Sequence, residues 1–185
     1  TGTFITRLLQ SGLIRPEDME RKYQNEIHCN EIVLLAYYIA DVNIESVFHD
    51  ITHRKTYLPY SGICLTDTFQ LAEKKHNELF TEFFQDNSKR VKKQMATHVR
   101  VIVGNPPYSI GQKSANDNAQ NLSYPYLDKR VSETYAVKSS ANLNKSLYDS
   151  YVKAFRWASD RIPQNEGGIV AFISNGAWID GAGQD

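Results

Sequence analysis

The residues Asn105-Pro106-Pro107-Tyr108 carry the strongest chemical signal in this chain. They follow VRVIVG at residues 99–104, an apolar run that predicts a strand buried on both faces. Two adjacent prolines offer no backbone N–H and hold the chain extended, which argues against a helix start. The Asn105 amide and the Tyr108 ring are thereby displayed on a stiff platform, suited to holding another group. Glu31 follows the run EIHCN, Asp67 follows GICLT, and Asn175 follows GGIVAFIS. If these runs are parallel strands, all four polar residues stand at carboxyl ends and point at one crevice, where open α/β sheets bind ligands.

The elements that would position them alternate along the chain. Phe4, Ile5, Leu8 and Leu9 recur at helical spacing, and Pro16 with Glu17 and Asp18 starts a second short helix. EIHCN (26–30) reads as a strand, EIVLLAYYIADV (31–42) as a buried helix apolar nearly all round, and GICLT (62–66) as a strand. A charged helical stretch with NSKRVKKQ at 87–94 leads into VRVIVG. Residues 109–146, rich in Ser, Asn, Lys and Tyr, read as one long loop. Helical order resumes at Ser146, whose hydroxyl resembles half of a capping pair with Asp149, and GGIVAFIS (167–174) closes the pattern as a buried strand. This alternation predicts a mostly parallel sheet with helices on both faces.

The composition narrows the classes. The 185 residues contain 21 basic and 21 acidic side chains, so the formal net charge is zero. A self-sufficient DNA-binding domain usually carries a basic excess, so any grip on nucleic acid would be local or supplied by other segments. Cys29 and Cys64 are the only cysteines, each in a short apolar run, and read as buried free thiols in a reducing cytoplasm. No apolar stretch approaches the ~18 residues of a membrane span, and no signal peptide is evident.

Taken together, these residues resemble those of the amino-methyltransferases. Asn105–Tyr108 after a strand resembles their motif IV. Thr1-Gly2-Thr3-Phe4 resembles the tail of their glycine-rich motif I, Glu31 with Ile32 beside it the motif II acid, and Asp67-Thr68 motif III. The order is that of the gamma-type adenine-N6 DNA methyltransferases. The stretches NPPYSIGQKSANDNAQNLSYPYLD and NKSLYDSYVKAFRWASDRI are most similar to the methyltransferase region of single-chain type ISP restriction-modification proteins. The resemblance implies a Rossmann-like methyltransferase fold over residues 1–185, with 109–146 inserted as a loop. Its first central strand, between those ending at Glu31 and Asn105, is not among these residues. Both ends read as cut from something longer, and neither motif X nor the motif VIII aromatic is visible.

The implied cofactor is S-adenosylmethionine, bound by Thr1, Gly2, Thr3, Phe4, Glu31, Ile32, Asp67, Thr68 and Asn105. Glu31 would accept from both ribose hydroxyls, and Asp67 from the adenine amine with Thr68 and Phe69 along the ring. Each acid has a plainer reading as well: Glu31 complementing a helix dipole, Asp67 as a helix N-cap. The implied substrate is an adenine flipped out of double-stranded DNA. Asn105, Pro106, Pro107 and Tyr108 form the implied catalytic set, with Asn105 and the Pro106 carbonyl as acceptors for the N6 hydrogens and Tyr108 stacking on the base. Lys113, Tyr124, Lys129 and Arg130 mix basic and aromatic character next to the motif and are candidate DNA contacts. Target-recognition, helicase and nuclease segments of a larger chain are the implied partners.

Two alternatives stay open. The motif also serves enzymes that methylate a protein glutamine amide or guanine N2 in RNA, and an incomplete module could act in assembly or DNA docking. His49, Asp50 and His53 have metal-like spacing but read as a solvated loop, because the chemistry requires no metal. KRVKKQ reads as a solvated helix face, and Trp157 and Trp178 as packing residues.

Overall fold

The computed structural model describes residues 1–73, 85–107, 124–138 and 145–174. It divides into two compact units, Thr1–Leu71 with Lys75–Thr97, and Ala72–Lys74 with His98–Asp185.

In the first unit the chain runs α1 (Thr3–Gln10), α2 (Pro16–Asn25), β1 (Cys29–Glu31), α3 (Leu34–Thr52), β2 (Ile63–Leu65) and α4 (Gln85–Ala96). Pro16 opens α2 at the position where its missing N–H is harmless. β1 and β2 pair in parallel, with Cys29 opposite Ile63 and Glu31 opposite Leu65. Parallel pairing requires a crossover, and α3 supplies it. Tyr37, Ala40, Ile44 and Phe48 form its buried stripe against Leu9, Tyr23 and Ile63. Tyr23 stacks on Phe48 with ring centroids 3.7 Å apart, and the Tyr60 hydroxyl donates to the Ile27 carbonyl at 2.8 Å.

The opposite face of α3 corrects the reading of 31–42 as a helix buried all round. Leu35, Tyr38, Ile39 and Val42 are exposed. α1 and the strands cover one side of the helix, and nothing among the described residues covers the other. The end of α3 also differs from a solvated loop: His49 and Asp50 lie in its last turns, and His53, with φ of 49°, is its C-cap. The His49 Nε2 accepts from the Leu58 N–H at 3.2 Å.

The second unit holds β3 (Val101–Gly104), α5 (Pro125–Thr134), α6 (Ser150–Arg161) and β4 (Ile169–Phe172). β3 and β4 pair in parallel, Val101 opposite Ile169 through Gly104 opposite Phe172. α6 covers one face of this pair, where Phe155 meets Phe172 edge-on at 5.1 Å. On the other face Val101, Val103 and Ile169 are exposed, so among the described residues these strands are covered on one side rather than on both. α5 lies inside the stretch read as loop. Leu127 and Val131 bury its inner face, two positions that the polar composition of 109–146 masked. α6 begins at Ser150 with Asp149 as its N-cap, accepting from the Tyr151 N–H at 3.4 Å. The Ser146 side chain lies outside the described residues.

Both cysteines sit on strands and are free, but only Cys64 is buried as expected; Cys29, opposite Ile63, is half-buried. No helix among the described residues is long and apolar enough to cross a membrane.

Candidate functional site

The carboxyl ends of β1 and β2 bring together the sequence-expected Glu31 and Asp67. Glu31 is the last residue of β1, and Asp67 stands two residues beyond the end of β2. The Thr66 N–H donates to the Glu31 carbonyl at 2.9 Å, continuing the ladder into the turn. Glu31 Oε1 accepts from the Ile32 and Val33 N–H groups at 2.9 and 3.1 Å. This folds the carboxylate over the amides just before α3, as an acid complementing a helix start does. Its other oxygen, Oε2, lies 3.8 Å from the Thr1 backbone nitrogen, so the glycine segment and the β1 acid meet.

Gly2 adopts a left-handed conformation, φ 78° and ψ 7°, at the N-cap of α1. A Cβ there would stand 3.1 Å from Ile44 Cγ1 and 3.2 Å from the Ala40 carbonyl oxygen. Both the dihedral and the closeness of α3 therefore call for glycine. Asn43 donates to the Thr1 carbonyl at 3.3 Å and ties down the same segment. Thr3 opens α1, and the Phe4 and Ile32 side chains are exposed.

The Asp67 turn is held from several directions. Asp67 Oδ1 accepts from the Phe69 N–H at 2.9 Å, an Asx turn that precedes the short 3₁₀ helix Gln70–Ala72. Asn30 Nδ2 donates to Thr68 Oγ1 at 3.2 Å. Asn87, on α4, accepts from the Leu65 N–H at 2.8 Å and donates to the Leu65 carbonyl at 2.9 Å, closing the outer edge of β2. Arg90 on the same helix donates to the Tyr37 hydroxyl at 2.8 Å, so part of the basic run braces the unit rather than facing solvent. The sequence reading missed Asn30, Asn43 and Asn87. Asn30 had one local signal, its place beside Glu31; the Asn87 pairing spans 22 residues and leaves no local trace.

In the second unit Asn105 follows β3 directly and is exposed, whereas Pro106 is buried. Gly104, just before it, leaves room for the Phe172 ring, since a Cβ would lie 3.2 Å from Phe172 Cε1. The Ile173 N–H donates to the Gly104 carbonyl at 3.0 Å, extending the ladder up to the Asn105 step. Tyr108, Lys113 and Asn175 lie outside the described residues.

The candidate DNA contacts on α5 fall into two kinds. Lys129 is exposed and lies 3.7 Å from Glu133. Tyr124 is only 5% exposed, with Lys153 Nζ 5.5 Å from its ring centroid, and is a packing residue of this unit. Arg130 makes a bidentate pair with Asp160 at 2.9 and 2.7 Å, so its guanidinium joins α5 to α6. Glu73 was also missed. Its carboxylate accepts from the Tyr126 N–H at 3.0 Å and the Leu127 N–H at 3.2 Å, capping α5 from 53 residues away.

These elements define an α/β protein whose parallel strands carry polar, ligand-type residues at their carboxyl ends. No protein-family model matches the chain, and no curated protein sequence matches it. Among solved structures it is similar to a nuclease-deletion mutant of the type ISP restriction-modification enzyme LlaGI, in complex with a DNA substrate mimic. That similarity has a TM-score of 0.87 and 42% identity over 99% of this chain and 15% of that one. It is likewise similar to the ATP-dependent type ISP restriction-modification enzyme LlaBIII bound to DNA, at TM-score 0.87 and 41% identity over 99% of this chain and 13% of that one. A DrdV–DNA complex matches at TM-score 0.85 and 41% identity over 100% of this chain and 17% of that one. The chain thus spans 13% to 17% of the length of these three chains.

Proposed function

We propose that this chain is most of the catalytic core of an adenine-N6 DNA methyltransferase acting within a restriction-modification protein. The observation that carries the reading is the parallel pairing that sets the Glu31 carboxylate and the Asp67 turn at adjacent strand ends, with left-handed Gly2 packed against α3 nearby. A glycine segment and two acids at adjacent strand ends fit a nucleoside cofactor. S-adenosylmethionine is the cofactor proposed, and it supplies a methyl group on a sulfonium. Glu31 would hold the ribose hydroxyls and Asp67 the adenine amine. Ile32, Thr68 and Phe69 would line the ring, with Thr1, Gly2, Thr3 and Phe4 along the amino-acid tail. The fold that goes with this reading is Rossmann-like. It is supported by the parallel pairing of β1 with β2 and of β3 with β4, with helices between the strands in sequence.

Adenine N6 is a weak nucleophile because its lone pair is delocalised into the ring. The Asn105 side-chain oxygen and the Pro106 carbonyl would accept its two hydrogens and draw the nitrogen towards tetrahedral geometry. The prolines fix the direction of both acceptors, and Tyr108 would stack on the base. Orientation and preorganised dipoles then supply most of the rate, without a covalent enzyme intermediate. The base must leave the duplex to reach such a platform. Lys113 and Lys129 would contact phosphates, while Tyr124 and Arg130 would act by holding α5 in place. The solved relatives are DNA complexes of much longer chains, which supports duplex DNA as substrate and further segments as partners.

The test is transfer of label from S-adenosylmethionine to mixed-sequence duplex DNA by the full-length protein, with Asn105→Ala as control. N6-methyladenine that disappears in the variant is the expected result. Label entering protein or RNA instead would move the assignment to another planar amine. Absence of cofactor binding would favour an inactive docking module.

A further inference from the structure

We infer that Asn30 is a positioning residue for the nucleoside end of the cofactor pocket, holding the Asp67–Phe69 turn in register with Glu31 through the Thr68 hydroxyl. The inference rests on the function proposed above. Asn30 immediately precedes Glu31 on β1 and faces Cys64 across the sheet register. Its amide nitrogen reaches Thr68 Oγ1 at 3.2 Å, across 38 residues of sequence. The turn it reaches is also tied by the Thr66 N–H to the Glu31 carbonyl at 2.9 Å, and by Asn87 to both backbone groups of Leu65. Asn30 and Asn87 therefore approach the same turn from its two sides, one through a side chain and one through the strand backbone.

Asn30 Oδ1 is buried and meets no hydrogen-bond partner among the described residues. A buried acceptor left unmatched is unfavourable, and an apolar side chain at this strand position would avoid the cost. Packing alone therefore does not account for asparagine here, whereas a donor aimed at Thr68 does.

The test compares wild-type full-length protein with Asn30→Ala, Thr68→Val, the double variant and Thr68→Ser. Binding of S-adenosylmethionine and of adenosine is titrated by calorimetry, and KM for the cofactor is measured against kcat. Each single variant should weaken both ligands by about three- to tenfold, the range one hydrogen bond spans. The double variant should be no weaker than the worse single one, because both remove the same contact. Thr68→Ser, which keeps the hydroxyl, should restore binding. KM should rise by the same factor while kcat falls much less. If Asn30→Ala does not fold, the near-isosteric Thr68→Val and its serine counterpart carry the comparison. Unchanged ligand affinity in Asn30→Ala, or losses that multiply in the double variant, would overturn the inference alone. A wild-type protein that does not bind the cofactor would overturn it together with the proposed function.

Discussion

At the scale of single residues, two positions combine a demanding local geometry with a proposed role in the site. Asn105 is exposed directly after a strand, with buried Pro106 behind it, so the backbone fixes where the residue emerges. If it accepts from the transferring amine, Asn105→Ala should lower single-turnover methyl transfer by at least about a hundredfold, the usual effect of losing one preorganised polar partner. Cofactor affinity measured by calorimetry should change far less. Gly2 is demanding for a different reason. Its φ of 78° and its approach to Ala40 and Ile44 both oppose a side chain. Gly2→Ala should cost about 1–2 kcal/mol from the left-handed conformation alone, read as a lower urea midpoint. Cofactor binding should weaken as well, since the same segment lies against Glu31.

Helices and strands bring in partners distant in sequence. α5 begins with a proline after a long polar stretch, and its first free amides are met by Glu73. Glu73→Ala should destabilise the protein by about 1 kcal/mol, as loss of a helix cap does, and Glu73→Gln by less; denaturant unfolding measures both. The faces of α3 give a second contrast. Ile44 is fully buried against the α1 side of the unit, whereas Ile39, five residues earlier, is exposed. Ile44→Ala should cost about 2–5 kcal/mol, the range for a large-to-small core change. Ile39→Ala should stay within about 0.5 kcal/mol.

For the molecule as a whole, burial of titratable groups governs the response to alkali. Desolvation raises the Cys29 thiol to about 12 and the Cys64 thiol to about 11, from an ordinary value near 9. Burial raises the Tyr23, Tyr37 and Tyr60 hydroxyls too. In each case the folded chain keeps its proton after the unfolded chain has lost it. Above pH 9 the unfolded state therefore binds fewer protons, and stability falls as pH rises towards 11. Urea midpoints measured from pH 8 to pH 11 should decline steadily. The two thiols should resist a thiol-directed reagent at pH 8 until the protein is unfolded.

Much of this was legible in the linear chain because it depends on near neighbours. Helical spacing located α1, proline located the start of α2, and apolar runs located all four strands to within a few residues. The placing of Glu31, Asp67 and Asn105 at strand ends followed from the same runs, since a polar residue after a buried strand must emerge at its end. What the sequence could not determine depends on which surfaces come together. The bare faces of α3 and of the β3–β4 pair are chemically like buried ones, and only the packing of neighbouring elements distinguishes them. The links from Asn30 to Thr68, Asn87 to Leu65, Glu73 to α5 and Arg130 to Asp160 span 22 to 54 residues. A hydrogen bond acts over about 3 Å. The tertiary structure alone decides which distant residues come that close.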